Sequence, residues 1–321
     1  MSEIYSRRVL VSHEEDIDGL ASAALLLRVY RDSDVILTNY HRGKWMYAIR
    51  KIRALCSVSK NLQIFITDLN LKTWMIEELD KALKRCYEKK VIWIDHHVWD
   101  EESIEIIKKL SYVEVYGDRE HTATELVASF IGLKDEVTEL LTELSRDSDY
   151  GLFRNPLTEP LTDLIRYLVY VARRKSRLVK LVKRFSRGVV WDSYADFTWG
   201  IAVEYKRRVL EEARKSLIET SINNCRVLFI FANPMLSSGV ILNTLDRQYD
   251  IAFTIYTNGS ITIARSRDQR IIDCSLIARR LGGGGHRHIA GAQVNPRLAR
   301  DREEIIKHIV SIARDFIPRC R

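Results

Sequence analysis

The chain of 321 residues has only five prolines and fourteen glycines, so it carries few of the breakers that mark fibrous or loop-rich proteins. Its five cysteines (Cys56, Cys86, Cys225, Cys274 and Cys320) are an odd number with no CxxC spacing, which indicates neither a disulfide framework nor a structural zinc site. They read as core thiols in a reducing compartment. No apolar run approaches the ~20 residues of a membrane span. The opening "MSEIYSRRVLVSHEED" reaches an acidic cluster before any long apolar segment, which argues against a secretory signal. There is no internal repeat and no low-complexity stretch. Together these absences lead to the expectation of a soluble, cytoplasmic protein without membrane contact.

What is present is apolar mass with a mild positive charge. Hydrophobic residues make up 46% of the chain, and its length favours two domains over one. Lys and Arg number 51 against 43 Asp and Glu, a formal charge of +8 that points toward an anionic partner but is small for such a surface. Richness in Glu, Lys and Arg with little Gly and Pro fits a thermophile.

Short β-branched runs alternate with helix-period segments through the first half, from "RRVLVSH" and "GLASAALLLRVYR" to "VEVYG" and "TATELVASFIG". This alternation predicts an α/β fold with a parallel sheet covered by helices on both faces, whose ligands sit at the carboxyl ends of the strands. From about Thr158 to Thr220 the pattern turns helical, as a connection would. Strands return with "CRVLFIFA", "IAFTIYT" and "SITIARS", the last two joined across "NG" as in a hairpin. The expected division is residues 1–187, a helical connector over 188–222, and a smaller mixed-sheet α/β domain over 223–321.

Four predicted strand or helix ends carry acids or imidazoles. "HEEDIDG" holds His13, Asp16 and Asp18, "ITDLN" holds Asp68, "DHH" holds Asp95, His96 and His97, and "SRDSDYG" holds Asp147 and Asp149. Taken singly, Asp18 before an apolar helix reads as well as a cap, and so does Asp68 before a helix starting near Leu71. Adjacent histidines at a strand end are harder to dismiss, because one must turn inward and find a partner. In a parallel sheet these ends converge, and mixed carboxylate and imidazole donors suit Mn²⁺ or a similar ion better than calcium or structural zinc.

A second constellation is "RRLGGGGHRHIAGAQV", four glycines followed by His286. A backbone without Cβ atoms can approach an anion and turn its N–H groups toward it, although a glycine run is also the composition of an ordinary flexible loop. A third is "RYLVYVARRKSRLVKLVKRFSR", where Arg166, Arg173, Arg174, Lys175, Arg177, Lys180, Lys183, Arg184 and Arg187 alternate with apolar residues. It predicts an amphipathic helix whose cationic face is either simply solvated or tracks a nucleic-acid backbone. Trp191, Tyr194, Phe197 and Trp199 follow, suited to core packing and, for some, to stacking on bases.

In this order the motifs "HEEDIDG", "TDLN", "DHH" and "SRDSDYG" resemble those of the DHH phosphoesterase superfamily, which includes RecJ exonucleases, nanoRNases, cyclic-dinucleotide phosphodiesterases and some exopolyphosphatases. "HTATEL" resembles the segment after the fifth strand there, and "GGGH" resembles the signature of the accompanying C-terminal substrate domain. The resemblance spans almost the whole chain, and an archaeal source would fit it. It implies two Mn²⁺ ions, with Mg²⁺ or Co²⁺ as substitutes. His13 and Asp16 would hold one, Asp18 and His96 the other, Asp68 would bridge, and Asp147 before Asp149 would supply the remaining carboxylate. Asp95 and His97 would orient ligands or contact substrate. Gly283, Gly284, Gly285 and His286 would grip a phosphate with Arg265 beside them, across a closed cleft from the metals. Position 288 is His where a small residue is expected.

The implied activity is hydrolysis of phosphodiester bonds in short or single-stranded nucleic acid, releasing mononucleotides by a metal-activated water. The alternatives are a phosphodiesterase or phosphatase for cyclic dinucleotides, linear dinucleotides or adenosine bisphosphate, and a non-enzymatic scaffold among replication proteins. A homodimer is left open.

Overall fold

The computed structural model describes residues 7–70, 72–245 and 247–320 and divides into two compact units, Met1–Gly200 and Ile201–Arg321. In the first, strand β1 (Arg7–His13) is followed by α1 (Ile17–Val29), β2 (Asp34–Thr38), α2 (Arg42–Val58), β3 (Asn61–Thr67), α3 (Thr73–Leu83), β4 (Glu88–Asp95), α4 (Glu101–Lys108) and β5 (Val113–Gly117). The five strands form one sheet in the order β2-β1-β3-β4-β5, every neighbouring pair parallel. The chain winds from β1 outward to β2 and then back past it to β3. The carboxyl ends of β1 and β3 therefore flank a topological switch point, where two connections leave in opposite directions and open a crevice.

Strand residues point alternately to the two faces. Val9, Val11, Ile64, Ile66, Val91 and Trp93 pack into a layer with α2, α3 and α4 through Trp45, Ile49, Met75, Leu79 and Ile107. Leu10, Phe65, Ile92 and Ile94 pack on the opposite face with α1 and the later helices. Those are α5 (Ala123–Ile131), α6 (Glu136–Asp149), α7 (Thr158–Arg166), a π-helical turn at Tyr167–Val171, and α8 (Lys175–Phe185). Both faces are covered, as the apolar strand runs require. Helix α1 is buried from Ile17 to Leu27, and its small residues Ala21, Ser22, Ala23 and Ala24 let neighbours approach closely.

Helix α9 (Ser193–Lys215) contains the division between units. Strand β6 (Ile218–Ile222), within the stretch read from sequence as connector, instead pairs with β7 (Cys225–Ala232) through a tight turn at Asn223 and Asn224, both left-handed. Asparagine tolerates that conformation, so the turn needs no glycine. After α10 (Ser238–Thr244) come β8 (Ile251–Tyr256), β9 (Ser260–Arg265), α11 (Cys274–Arg280), β10 (Gly284–Gly285), β11 (Ile289–Gln293), α12 (Pro296–Arg300) and α13 (Arg302–Ala313). The sheet runs β10-β11-β9-β8-β7-β6, with β7 and β8 parallel and the other pairs antiparallel. The expected hairpin at "NG" joins β8 to β9, with Gly259 at a φ of 90°.

The cysteines correct the sequence reading. Cys56 is bonded to Cys86 and Cys225 to Cys320, leaving only Cys274 as a buried thiol. The partners stand 30 and 95 residues apart and meet only because the fold brings their Cα atoms to 4.8 and 4.9 Å, which spacing along the chain does not reveal. Among the described residues no helix is long and apolar enough to cross a membrane.

Candidate metal centre

Each strand end at the switch point delivers a polar group to the same place. His13 is the last residue of β1, Asp68 follows β3, and His96 follows β4. His13 Nδ1 lies 2.6 Å from Asp16 Oδ2 and 3.5 Å from Asp68 Oδ2. His96 Nε2 lies 3.5 Å from Asp68 Oδ1 and 3.6 Å from Asp18 Oδ2, while its Nδ1 lies 3.8 Å from Asp149. Three overlapping donor sets result, His13–Asp16–Asp68, Asp18–His96–Asp149 and Asp68–His96–His97, each with ligand atoms within 4.8 Å of one another. Asp68 belongs to two of them. Its backbone takes the left-handed φ of 54°, a strained conformation for a non-glycine residue, and its N–H donates to Ile94 O at 3.1 Å. It does not cap the following helix, since α3 begins after Lys72 with no side-chain cap; Leu71 lies outside the described residues.

Several of these side chains are held on the side away from the cluster. Asp16 caps α1 by accepting from Gly19 N at 3.0 Å. A Cβ on Gly19 would stand 2.3 Å from His13 O, so the Asp-Gly pair lets the helix start directly on the strand end. Asp18 sits at the N-terminus of α5, where Oδ1 accepts from Thr124 N, Thr124 Oγ1 and Ser145 Oγ at 2.7, 2.6 and 2.7 Å. Its Oδ2 accepts from Ala123 N at 2.9 Å and faces His96. Asp95, fully buried, accepts from His97 Nδ1 and from Trp99 Nε1, each at 2.7 Å, so the ring of His97 is fixed with Nε2 free. Tyr40 stands between the rings of His13 and His97, at 5.6 and 6.3 Å, and its hydroxyl accepts from Asn70 N.

The electrostatics follow from crowding acids in a buried place. Burial, with Asp16 and Asp18 close by, pushes Asp68 up to about 7. Burial and Asp18 push Asp149 up to about 6. Burial works against a charged His96, yet Asp68, Asp18 and Asp149 together raise it to about 9. Against the upward push of burial, His13 holds Asp16 below the usual carboxylate range. Crowding thus favours the protonated forms of Asp68, Asp149 and His96. Asp68 Oδ2 and His96 Nε2 are also buried without a hydrogen bond.

The two candidates of the fourth motif separate cleanly. Residues two apart on a helix point to nearly opposite sides, whereas four apart share a face. On α6, Asp149 shares the face of Ser145, the residue that holds Asp18, and reaches His96. Asp147, the first choice from sequence, is turned elsewhere and accepts from Arg154 N, Asn155 N and Thr158 Oγ1 at 2.8, 3.0 and 2.5 Å.

In the second unit the glycine run forms the turn into β10 and lies largely exposed, with His286 and His288 stacked at 5.8 Å between ring centres. A Cβ on Gly283 would meet Gly291 O at 2.0 Å, and one on Gly285 would meet Ala290 Cα at 2.7 Å, so the fold itself demands both. Gly284 has open space around it and no left-handed backbone. Arg265 Nη1 donates to Gln269 O at 2.7 Å, and its Nε is buried without a partner.

On α8, Leu178, Leu181, Val182 and Phe185 face the core, and Arg177, Lys180 and Lys183 are exposed, as are the flanking Arg173, Arg174 and Arg187. Lys175 leaves that stripe: it donates to Leu37 O at 3.0 Å beside the buried Glu14. Arg184 pairs with Asp192, and Arg177 and Arg184 both lie over the Tyr194 ring. Trp191 packs against the core, and Phe197 is exposed.

Sequence reading missed Thr124, Ser145, Trp99 and Tyr40. "HTATEL" marked the neighbourhood of Thr124, but nothing in the sequence flags Trp99 or Tyr40, whose roles depend on which strand ends meet.

The profile of the DHH family, N-terminal domain, matches residues 8–147. No curated protein matches the chain. Among solved structures it is similar to the exonuclease RecJ bound to manganese, at 16% identity and a TM-score of 0.53, covering 98% of this chain and 91% of that one. It is similar also to the pGpG-specific phosphodiesterase PggH from Vibrio cholerae, at 14% identity and 0.52, covering 96% and 100%. An exopolyphosphatase-related protein from Bacteroides fragilis stands at 13% identity and 0.53, covering 97% and 93%.

Proposed function

We propose, from the premise that the chain belongs to the DHH phosphoesterase superfamily, that it is a divalent-metal-dependent phosphodiesterase cleaving short or single-stranded nucleic acid to mononucleotides. The observation that carries this reading is the donor cluster itself: buried carboxylate and imidazole atoms crowded together, with Asp68 Oδ2 and His96 Nε2 left without hydrogen bonds. Unpaired buried polar atoms of this kind are costly unless something binds them. The donors fit a pair of divalent cations, Mn²⁺ foremost with Mg²⁺ or Co²⁺ as substitutes. Bound there, such ions would neutralise phosphate charge and supply an activated water as nucleophile.

His13 and Asp16 would hold one ion, Asp18, His96 and Asp149 the other, and Asp68 would face both. The capping bonds to Asp18 leave Oδ2 presented to the site. Asp95 holds His97 so that its free Nε2 meets the substrate. Gly283, Gly284, Gly285 and His286, with Arg265 near them, would bind a substrate phosphate; Gly284, which the fold does not require to be glycine, supports this. The exposed cations of α8 favour a polymeric substrate over a small one. A complete donor set argues against an inactive scaffold. Two disulfides in an acid- and base-rich chain suit an intracellular protein of a thermophile.

The test is Mn²⁺-dependent degradation of end-labelled RNA and DNA ladders from dinucleotide to long strand. The expected result is stepwise release of mononucleotides, lost by on the order of a thousandfold or more in Asp68→Ala with an unchanged circular dichroism spectrum. Cleavage confined to cyclic or linear dinucleotides or adenosine bisphosphate would establish the small-nucleotide reading instead. Full activity of Asp68→Ala would refute the proposal.

A further inference from the structure

The two residues between His13 and Asp16 of the cluster are themselves acids, and neither joins its three donor sets. Glu14 is fully buried. Its Oε1 lies 3.0 Å from Lys44 Nζ and accepts from Asn39 Nδ2 at 3.2 Å, while its Oε2, which has no hydrogen bond, faces Lys175 Nζ at 3.4 Å. Glu15 accepts from Asn39 Nδ2 and from Tyr170 Oη, each at 2.5 Å. Among the described residues no second carboxylate pairs with Lys44 or Lys175, so two ammonium groups converge on one buried carboxylate. One positive charge is left over. Burial pushes Lys175 down against the pull of Glu14, and the nearby Lys44 adds to that push. Both side chains nevertheless reach solvent, at 39% and 33% exposure, with Lys175 Nζ also 4.9 Å from the centre of the exposed Tyr47 ring.

The register of the sheet fixes where this pair stands. Ser12 and His13 of β1 lie opposite Leu37 and Thr38 of β2. Lys175 donates to Leu37 O at 3.0 Å, and Lys44 belongs to the first turn of α2, so both rise at the carboxyl end of the strand next to the one that delivers His13. Asn39 joins the two acids, one following His13 and the other preceding Asp16. Tyr40, between Asn39 and that turn, lies against the rings of His13 and His97. The ammonium pair and the donor cluster are therefore neighbouring parts of one rim, the rim where a parallel sheet binds its ligands.

We propose that the two ammonium groups gathered on Glu14, those of Lys44 and Lys175, form a further phosphate subsite, which holds a non-scissile phosphate of the substrate while the scissile one lies at the donor cluster. The inference rests on the function proposed above and deepens it: the preferred substrate carries a phosphate beyond the one that is cleaved. A phosphate oxygen supplies the second anion that the pair lacks, through charge-assisted hydrogen bonds. Such contacts fix position along the strand and are blind to base identity.

The test compares wild type, K44M and K175M on the dinucleotide ApA, which has only the scissile phosphate, and on pApA and ApAp, which carry one more at either end. Wild type should show a lower KM for one of the phosphorylated dinucleotides than for ApA. Each variant should lose that advantage, a rise in KM of roughly ten- to a hundredfold, with KM for ApA unchanged. K44R should keep it. Equal KM for all three substrates in wild type, an equal loss on ApA in the variants, or an advantage retained in both variants would each overturn the inference. Removing a cation from a buried carboxylate lowers stability, so binding is also read against each protein's own baseline. Inorganic phosphate should raise the melting temperature of the metal-free wild type, and by less in K44M and K175M. Equal shifts in all three proteins would overturn the inference as well. An enzyme inactive on every dinucleotide would sink the proposed function, while the phosphate shift would still decide this subsite.

Discussion

The strand-end cluster of the first unit and the glycine turn of the second are both polar sites, built in opposite ways. In the cluster, side chains form the site and several are fixed by a further partner: Asp18 by Thr124 and Ser145, His97 by Asp95, Asp95 by Trp99. The glycine turn has almost no side chains, and what shapes it is the close approach of Gly283 and Gly285 to β11. On the proposed function, the cluster would bind highly charged ions and so needs donors whose positions are set beforehand, because buried acids repel one another. The glycine turn would on the same proposal meet a solvated phosphate, which needs only backbone N–H groups and room.

That contrast can be broken at either end. Trp99→Phe keeps the ring and removes the hydrogen bond to Asp95, so His97 loses its orientation at second hand. The expected effect is a fall in kcat on the order of ten- to a hundredfold with little change in folding, measured by steady-state kinetics and thermal unfolding. Wild-type kcat in this variant would mean that the cluster is not organised through its outer partners.

In the glycine turn the paired substitutions should divide. Gly283→Ala forces a methyl against Gly291 O and should destabilise the protein by about 1–3 kcal/mol, seen in denaturant unfolding. Gly284→Ala meets nothing in the chain and should leave stability alone while raising KM about tenfold, because the added methyl keeps a phosphate from approaching the backbone N–H groups. If Gly284→Ala leaves KM unchanged as well, the turn is an ordinary loop.

Most of the fold was legible in the sequence because strand and helix periods alternate cleanly and both sheet faces are buried. Seven of the nine motif positions offered by sequence, His13, Asp16, Asp18, Asp68, His96, His97 and Asp149, lie at predicted strand or helix ends, and the structure brings them together. The choice between Asp147 and Asp149 was not legible, since helix geometry says that only one can face the cluster but not which, and Ser145 reveals the face only once its bond to Asp18 is seen. Strand β6 was hidden because its five residues, "IETSI", carry almost no burial signal. The disulfides were hidden for a different reason: pairing over 30 and 95 residues depends on packing alone.

The most direct test of the metal centre is a calorimetric Mn²⁺ titration of the metal-free protein at pH 7 and pH 9. His96, raised to about 9, and Asp68, raised to about 7, must both lose protons to become ligands. Binding should therefore tighten as pH rises through this window, with two ions per chain at pH 9 and protons released at pH 7. The same raised pKa values stabilise the metal-free fold at low pH and cease to do so as pH passes 7 and then 9, so its melting temperature should fall over the range in which the Mn²⁺ complex grows firmer. Binding indifferent to pH, or retained in a protein lacking both Asp68 and His96, would contradict the account.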